Sequence, residues 1–215
     1  MRRYRNRTEA GRALGQALAR FSGRGDVIVL ALPRGGVPVA AEVAHALEAP
    51  MDVYLVRKLG APGHPELAMG AIGSGGVRVL NEDVVATLGV TEAMIEAVAE
   101  REAAELARRD RHYRGTRDAP DLRGKLCILV DDGLATGATM RAAAAAVRKS
   151  GPAKVVVAVP VAARETCDAM HADPSIDEIE CGMTPEPFGA VGLWYDDFEQ
   201  VSDEEVMSLL EEGVT

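Results

Sequence analysis

The chain has 215 residues, a formal net charge of −9, 47% hydrophobic residues and only 4% aromatics. That length can bury a core of Val, Leu, Ile and Ala without metal or disulfide staples, and the acidic balance excludes general attraction to nucleic acid. No apolar run approaches transmembrane length and the Arg-rich start leads into no signal-peptide core, so no membrane partner and a cytoplasmic location are expected.

In chain order, Arg2, Arg3, Arg5 and Arg7 read as a solvated basic N-terminus. Thr8 is placed to cap a first helix reaching about Phe21. Asp26–Leu32 is a continuous apolar run, the pattern of a strand covered on both faces. Pro33–Arg34–Gly35–Gly36 then turns into a helix over Val39–Leu47, and Met51–Val56 is a second strand ending in Arg57 and Lys58. Leu59–Gly76 is rich in Gly and Pro and predicts a long loop with weak hairpin elements near Ala68–Ile72 and Val77–Leu80. Thr91–His112 is a strong helical segment with Met94, Ile95, Val98 and Leu106 on its apolar face, and Glu105 pairs with Arg109 at i,i+4. Lys125–Val130, Lys154–Val159 and Ile176–Cys181 predict further strands, with helices over Thr139–Lys149, Ala162–Met170 and from about Asp203. This alternation implies one α/β domain over 1–215, an open mostly parallel sheet with helices on both faces. Cys127 and Cys181 read as buried small apolar residues in a reducing compartment, and the three cysteines as no disulfide frame.

Cys127–Met140, CILVDDGLATGATM, concentrates the chemistry. A buried strand delivers Asp131 and Asp132 to the carboxyl edge of the sheet, where ligands of open α/β sheets bind. Ala135, Thr136, Gly137, Ala138 and Thr139 form a small-residue turn opening a helix, whose backbone amides, helix dipole and threonine hydroxyls suit a phosphate dianion. The two carboxylates suit vicinal hydroxyls or a divalent cation. A phosphate beside a diol describes a ribose 5-phosphate. Arg34, Gly35 and Gly36, at the end of another strand, offer a second anion site, with the Arg34 fork suited to phosphate oxygens.

The order ILV-DD-GL-ATGAT resembles the signature of the type I phosphoribosyltransferases, most closely the adenine phosphoribosyltransferase version, in which Ala also precedes Thr-Gly; Gly133 departs from the usual aliphatic residue. The layout also resembles a group described only as predicted phosphoribosyltransferases of unassigned acceptor. The resemblance implies transfer of ribose 5-phosphate from phosphoribosyl pyrophosphate to a nitrogen acceptor, a small molecule such as a nucleobase, with Mg²⁺ and release of pyrophosphate. It implies that residues 135–139 hold the 5-phosphate, and that Asp131 and Asp132 contact the ribose hydroxyls and help hold the metal. Arg34, Gly35, Gly36 and Lys58 would hold pyrophosphate, and Arg57 with Lys58, an Arg-Lys pair like that of the orotate enzymes, would neutralise its charge.

Residues 59–80 would then be a flexible lid, carrying His64 and Glu66, with Glu66 the lid carboxylate compatible with proton removal. Residues 91–113 would be a helical insertion, capping the site or making an interface, and 182–200 a hood. In the hood, the run from Ala190 to Asp196 resembles that of the hypoxanthine-guanine enzymes. That implies a base-binding role for Val191 and for Phe188 or Trp194, and a metal-assisting carboxylate in Asp196. The position that carries the proposed base in those enzymes is Ala135 here, which disfavours a 6-oxopurine handled that way. Lid-bearing members of the family are commonly homodimers. The alternative is a non-catalytic regulator that senses phosphoribosyl pyrophosphate or a nucleotide; a hydrolytic protein is a third reading.

Overall fold

The computed structural model describes residues 3–213, so Arg2 lies outside the described residues. Five strands, β1 (Val27–Ala31), β2 (Met51–Val53), β6 (Leu126–Val130), β7 (Lys154–Val161) and β8 (Glu178–Met183), form one parallel sheet in the order β2-β1-β6-β7-β8. Its register runs straight across the centre, Val29 beside Ile128 and Ile128 beside Val156. The continuous apolar runs are explained by two covered faces. Val27, Val29 and Ala31 of β1 point into one cluster with α1 (Arg7–Ala17), α2 (Gly36–Leu47) and α7 (Asp203–Glu212), while Ile28 and Leu30 point into another with α5 (Ala138–Lys149) and α6 (Arg164–His171). Each such side chain taken fully out of water contributes about 1.5–3 kcal/mol.

Helix α1 is capped by Asn6 rather than Thr8, whose position falls inside the first turn, and it ends at Ala17 before a short 3₁₀ turn at Ala19–Phe21. Gly11 and Gly15 let it lie directly on α2: a methyl group at Gly11 would come within 2.6 Å of the Val39 carbonyl oxygen. The solvated-tail reading therefore fails at Arg7, which is folded into the protein.

Within the segment expected as a loop, the hairpin elements at Ala68–Ile72 and Val77–Leu80 are present and paired, but the residues before them are also strand. Residues 56–80 form a separate three-stranded antiparallel sheet of β3 (Val56–Ala61), β4 (His64–Gly73) and β5 (Val77–Leu80). The glycines that signalled a loop serve close backbone approach between strands. A Cβ at Gly60 would lie 2.6 Å from the Pro65 carbonyl oxygen, and one at Gly70 would clash with that of Val79. Arg57 and Lys58 thus lie on β3, not at the end of the second parallel strand.

Two helices follow, α3 (Glu82–Leu88), which the sequence reading missed, and α4 (Glu92–Arg114), capped by the Thr91 hydroxyl. Ile95, Ala99 and Leu106 of α4 pack on Leu59, Met69 and Ile72, whereas Met94 is 48% exposed and stands outside the apolar face. The expected Glu105–Arg109 pair forms at 2.9 Å, and Arg108 joins it at 2.8 Å. The far end of α4 is tied to the main sheet, because Arg114, 3% exposed, donates to both Asp52 carboxylate oxygens at 3.0–3.1 Å.

Cys127 is buried as expected, and burial pushes its thiol up to about 12. Cys167 and Cys181, however, form a disulfide between α6 and β8, which overturns the expectation of no disulfide. They lie 14 positions apart, but the packing of the crossover helix α6 on β8 brings their Cα atoms to 6.7 Å. Among the described residues no helix is long and apolar enough to cross a membrane.

Candidate functional site

The carboxyl edge of the large sheet brings the two glycine-containing loops into direct contact. Strand β6 ends at Val130, and Asp131–Asp132 continue from it beside the Pro33–Gly36 turn that leaves β1. Gly35 and Gly36 are required here by space. A Cβ at Gly35 would overlap Asp132 Oδ2, and one at Gly36 would sit 2.7 Å from the Val130 carbonyl oxygen. The Pro33–Arg34 peptide is cis. Gly133 has a similar reason: a side chain there would meet Val191 at 2.6 Å, so Val191 occupies the space of the aliphatic residue that the family pattern places at this position.

Beyond Leu134, the turn Ala135–Thr139 leads into α5. Gly137 is its N-cap residue, with φ +71°, a left-handed conformation that favours glycine. Ala135, Thr136, Ala138 and Thr139 are exposed, while Gly137 is buried against Met170 and Thr166 of α6. The Thr166 hydroxyl donates to the Ala135 carbonyl oxygen at 2.5 Å, bracing the turn from behind. Helices α1, α3, α4 and α7 are each capped by an Asn, Thr or Ser side chain, but α2 and α5, like α6, have no such N-cap bond. The first-turn amides of α5 carry the positive end of its dipole to the edge where the acidic pair sits, an arrangement that accepts anions; in α2 the Gly36 and Val37 amides already donate to the Leu32 and Arg34 carbonyl oxygens and Pro38 has none.

The acidic pair is half-buried. Burial, and then the neighbouring Asp132 charge, raise Asp131 well above the usual carboxylate range. Burial raises Asp132 as well, against the opposing pull of Arg7. The Asp132 backbone N–H donates to Asp131 Oδ1 at 2.8 Å. The Tyr195 hydroxyl donates to the Asp132 carbonyl oxygen at 2.6 Å, which ties the hood to this segment.

Two adjoining cavities contain most of the remaining candidates. One, of about 470 Å³, is lined by Arg34, Arg57 and Thr139 together with Arg109 and His112 of α4. The other, of about 750 Å³, is lined by Arg57, Lys58, Glu66, Glu102 and again Thr139. The end of the phosphate turn, the Arg34 loop and the β3 cations therefore share one region, and α4 forms its outer wall. Arg57 is not free in it: its Nε donates to Glu102 on α4 at 2.6 Å. Arg34 lies 3.9 Å from Asp203, which also accepts the Tyr113 hydroxyl at 2.6 Å. Burial, and then that bond, push Tyr113 up to about 12.

Phe188, Val191 and Trp194 line neither cavity. Trp194 is 8% exposed and its indole N–H donates to the Phe188 carbonyl oxygen at 2.9 Å, within a cluster that includes Tyr4 and Val161. Asp196 is exposed, and the described residues contain no group of three or more His, Cys, Asp or Glu side chains placed to hold a metal, so it does not join the Asp131–Asp132 pair. His64 is exposed at the start of β4. Sequence reasoning missed Arg7, Glu102 and Asp203. Arg7 sits in a run of arginines and the two acids in runs of helical surface charge, so no local signal distinguishes them.

Residues 6–183 match the family described as "Phosphoribosyl transferase domain". A Mycobacterium tuberculosis H37Rv protein named "Putative phosphoribosyl transferase" is 49% identical over 211 residues, which is 98% of this chain and 47% of that protein. The chain thus spans about half the length of the curated relatives it matches. The crystal structure of a Thermus thermophilus protein, TT1426, superposes with a TM-score of 0.89 at 44% identity, covering 100% of both chains.

Proposed function

The chain belongs to the phosphoribosyl transferase domain family, and from that premise we propose that it moves the ribose 5-phosphate group of phosphoribosyl pyrophosphate onto a nitrogen acceptor, such as a nucleobase, and releases pyrophosphate. One observation carries this reading. The acidic pair and the uncapped turn at 135–139 follow one buried strand, and the Arg34 loop is packed on that pair through Gly35 and Gly36. In the reaction the bond from C1 to the pyrophosphate oxygen breaks, a bond from C1 to nitrogen forms, and the acceptor nitrogen loses a proton.

The residues have distinct tasks. The 135–139 amides and the Thr136 and Thr139 hydroxyls hold the 5-phosphate, and Asp131 and Asp132 receive the ribose hydroxyls. Arg34, Arg57 and Lys58 meet the pyrophosphate charge as it departs, which is where preorganised donors lower a barrier most. Glu66 is the candidate proton acceptor, supported by its place in the same cavity as Arg57, Lys58 and Thr139. The 59–80 sheet closes that cavity as a lid, α4 serves as its cap, and 182–200 acts as the hood; together they keep water from C1.

Two adjacent carboxylates without a third suit Mg²⁺, which keeps several waters and takes its other ligands from substrate phosphates. Asp131 is the better placed of the two, because Asp132 already faces a guanidinium. When bound, the ion supplies charge neutralisation for the leaving pyrophosphate.

Pyrophosphate release from phosphoribosyl pyrophosphate, measured with Mg²⁺ and a panel of adenine, hypoxanthine, uracil, orotate and nicotinate, tests the reading. Release that requires one of these acceptors is the expected result. Release without an acceptor identifies a hydrolase. Donor binding with no release for any acceptor favours a non-catalytic sensor and contradicts the transferase.

A further inference from the structure

We propose that Arg7 is a positioning residue which sets the ribose-recognising oxygens of the acidic pair, and with them the preference for a ribose phosphate over a 2-deoxyribose phosphate. This rests on the reading of Asp131 and Asp132 as the ribose site.

Arg7 is the first residue of α1, 125 positions from Asp132 in the chain. Its side chain is only 11% exposed, against 78% for Arg5 two residues earlier. Nε and Nη2 both approach Asp132 Oδ2 at 2.9 Å, and Nη1 donates to the Glu199 carbonyl oxygen at 2.8 Å. The guanidinium carbon lies 4.0 Å from the centre of the Phe198 ring, and that ring stacks on Tyr195 at 5.1 Å. Tyr195 in turn donates to the Asp132 carbonyl oxygen. Arg7, Phe198, Tyr195 and Asp132 thus form a closed circuit that joins the first helix, the hood and the acidic pair. All three guanidinium nitrogens are engaged, so Arg7 is not a ligand-binding group itself. A planar fork with a stacked face is what arginine supplies and lysine does not.

The consequence lies in how the acidic pair is held. Arg7 and the close approach of Gly35 cover Asp132 Oδ2. The Asp132 amide takes Asp131 Oδ1. The two carboxyl groups also hydrogen-bond to each other, so they act as one linked pair that Arg7 anchors from the Asp132 side. Two adjacent carboxyl groups fixed in this way match the two hydroxyls of a vicinal diol. Without Arg7, Asp132 is free to rotate and the match is lost, while the 135–139 turn is untouched.

The test is calorimetric titration of the whole chain with three probes: ribose 5-phosphate, 2-deoxyribose 5-phosphate and inorganic phosphate. The wild type is expected to bind the ribose compound about ten-fold or more tighter than its deoxy analogue, as for hydrogen bonds to charged groups. Arg7→Met keeps the apolar stem and is expected to bind the two sugars within about two-fold of each other, with inorganic phosphate unchanged; Arg7→Lys should recover part of the preference. An Arg7→Met protein that keeps the wild-type preference overturns the proposal and leaves the ribose reading standing. Equal loss of all three probes in both variants also overturns it, because Arg7 then serves the fold alone. A wild type that binds neither sugar phosphate rejects the ribose reading itself.

Discussion

The two walls of the site differ in how their charges are satisfied. On the large sheet, the 135–139 turn opens a helix with no side-chain N-cap bond, and the acidic pair is already held in place by Arg7 and the Asp132 amide. Across the cavity, Arg57 is bonded to Glu102, and Arg108 and Arg109 share Glu105. The first wall is built before a ligand arrives. On the second, Arg57 is paired with an acid of the same wall and must exchange that carboxylate for pyrophosphate oxygens. The donor's sugar phosphate should therefore bind to a surface already in place, and the leaving group to one that reorganises, as lids of this kind do.

The separation can be broken most sharply at Arg57. Arg57→Ala should lower turnover by about 10²–10³-fold, the scale for loss of one donor that acts in the transition state. Glu102 retains Arg101 at 3.1 Å, so the helix keeps a partner for its acid. Ribose 5-phosphate affinity, read by calorimetry, should stay within about two-fold because its contacts lie on the other wall; a parallel fall would show that the walls are one unit.

A smaller effect is expected on the preformed side. Gly137→Ala imposes a left-handed conformation on alanine and drives a methyl group into the Met170 methyl. The strain should cost about 1–2 kcal/mol of stability, seen as a lower melting temperature. Ribose 5-phosphate binding should weaken with it, while Arg57-dependent steps are spared. Unaltered stability would mean that the turn is not fixed as described.

The smallest effect concerns pH. Burial pushes the Glu102 carboxyl up, but Arg57 and Arg101 outweigh this and hold it below the usual carboxylate value. A lowered folded-state value means that the ion pair stabilises in full above the unfolded-state value, and that this contribution is lost as pH falls through the folded value. The melting-temperature difference between wild type and Glu102→Gln should persist at pH 7, correspond to no more than about 1 kcal/mol, and vanish in strong acid. A difference that grows on acidification would contradict the pairing.

The same division marks what the sequence made legible. The central parallel strands were readable because both faces are covered, so Val27–Ala31 and Leu126–Val130 are uninterrupted apolar runs. The phosphate turn was readable because its chemistry lies in consecutive residues. The hairpin at 68–80 was legible, but strand β3 and the start of β4 were misread as loop because Gly60, needed for close strand approach, looks like a loop residue. The Cys167–Cys181 disulfide and the Arg7–Asp132 pair depend on tertiary contact between distant elements, and no local spacing encodes either.

Everything proposed for the donor depends on the 5-phosphate sitting on the turn that begins α5. A crystal structure of the protein soaked with ribose 5-phosphate tests it most directly. The phosphorus is expected over the amides of Thr136–Thr139, with the sugar hydroxyls on Asp131 and Asp132. A phosphate seated instead among Arg108, Arg109 and His112, with the turn vacant, would contradict it.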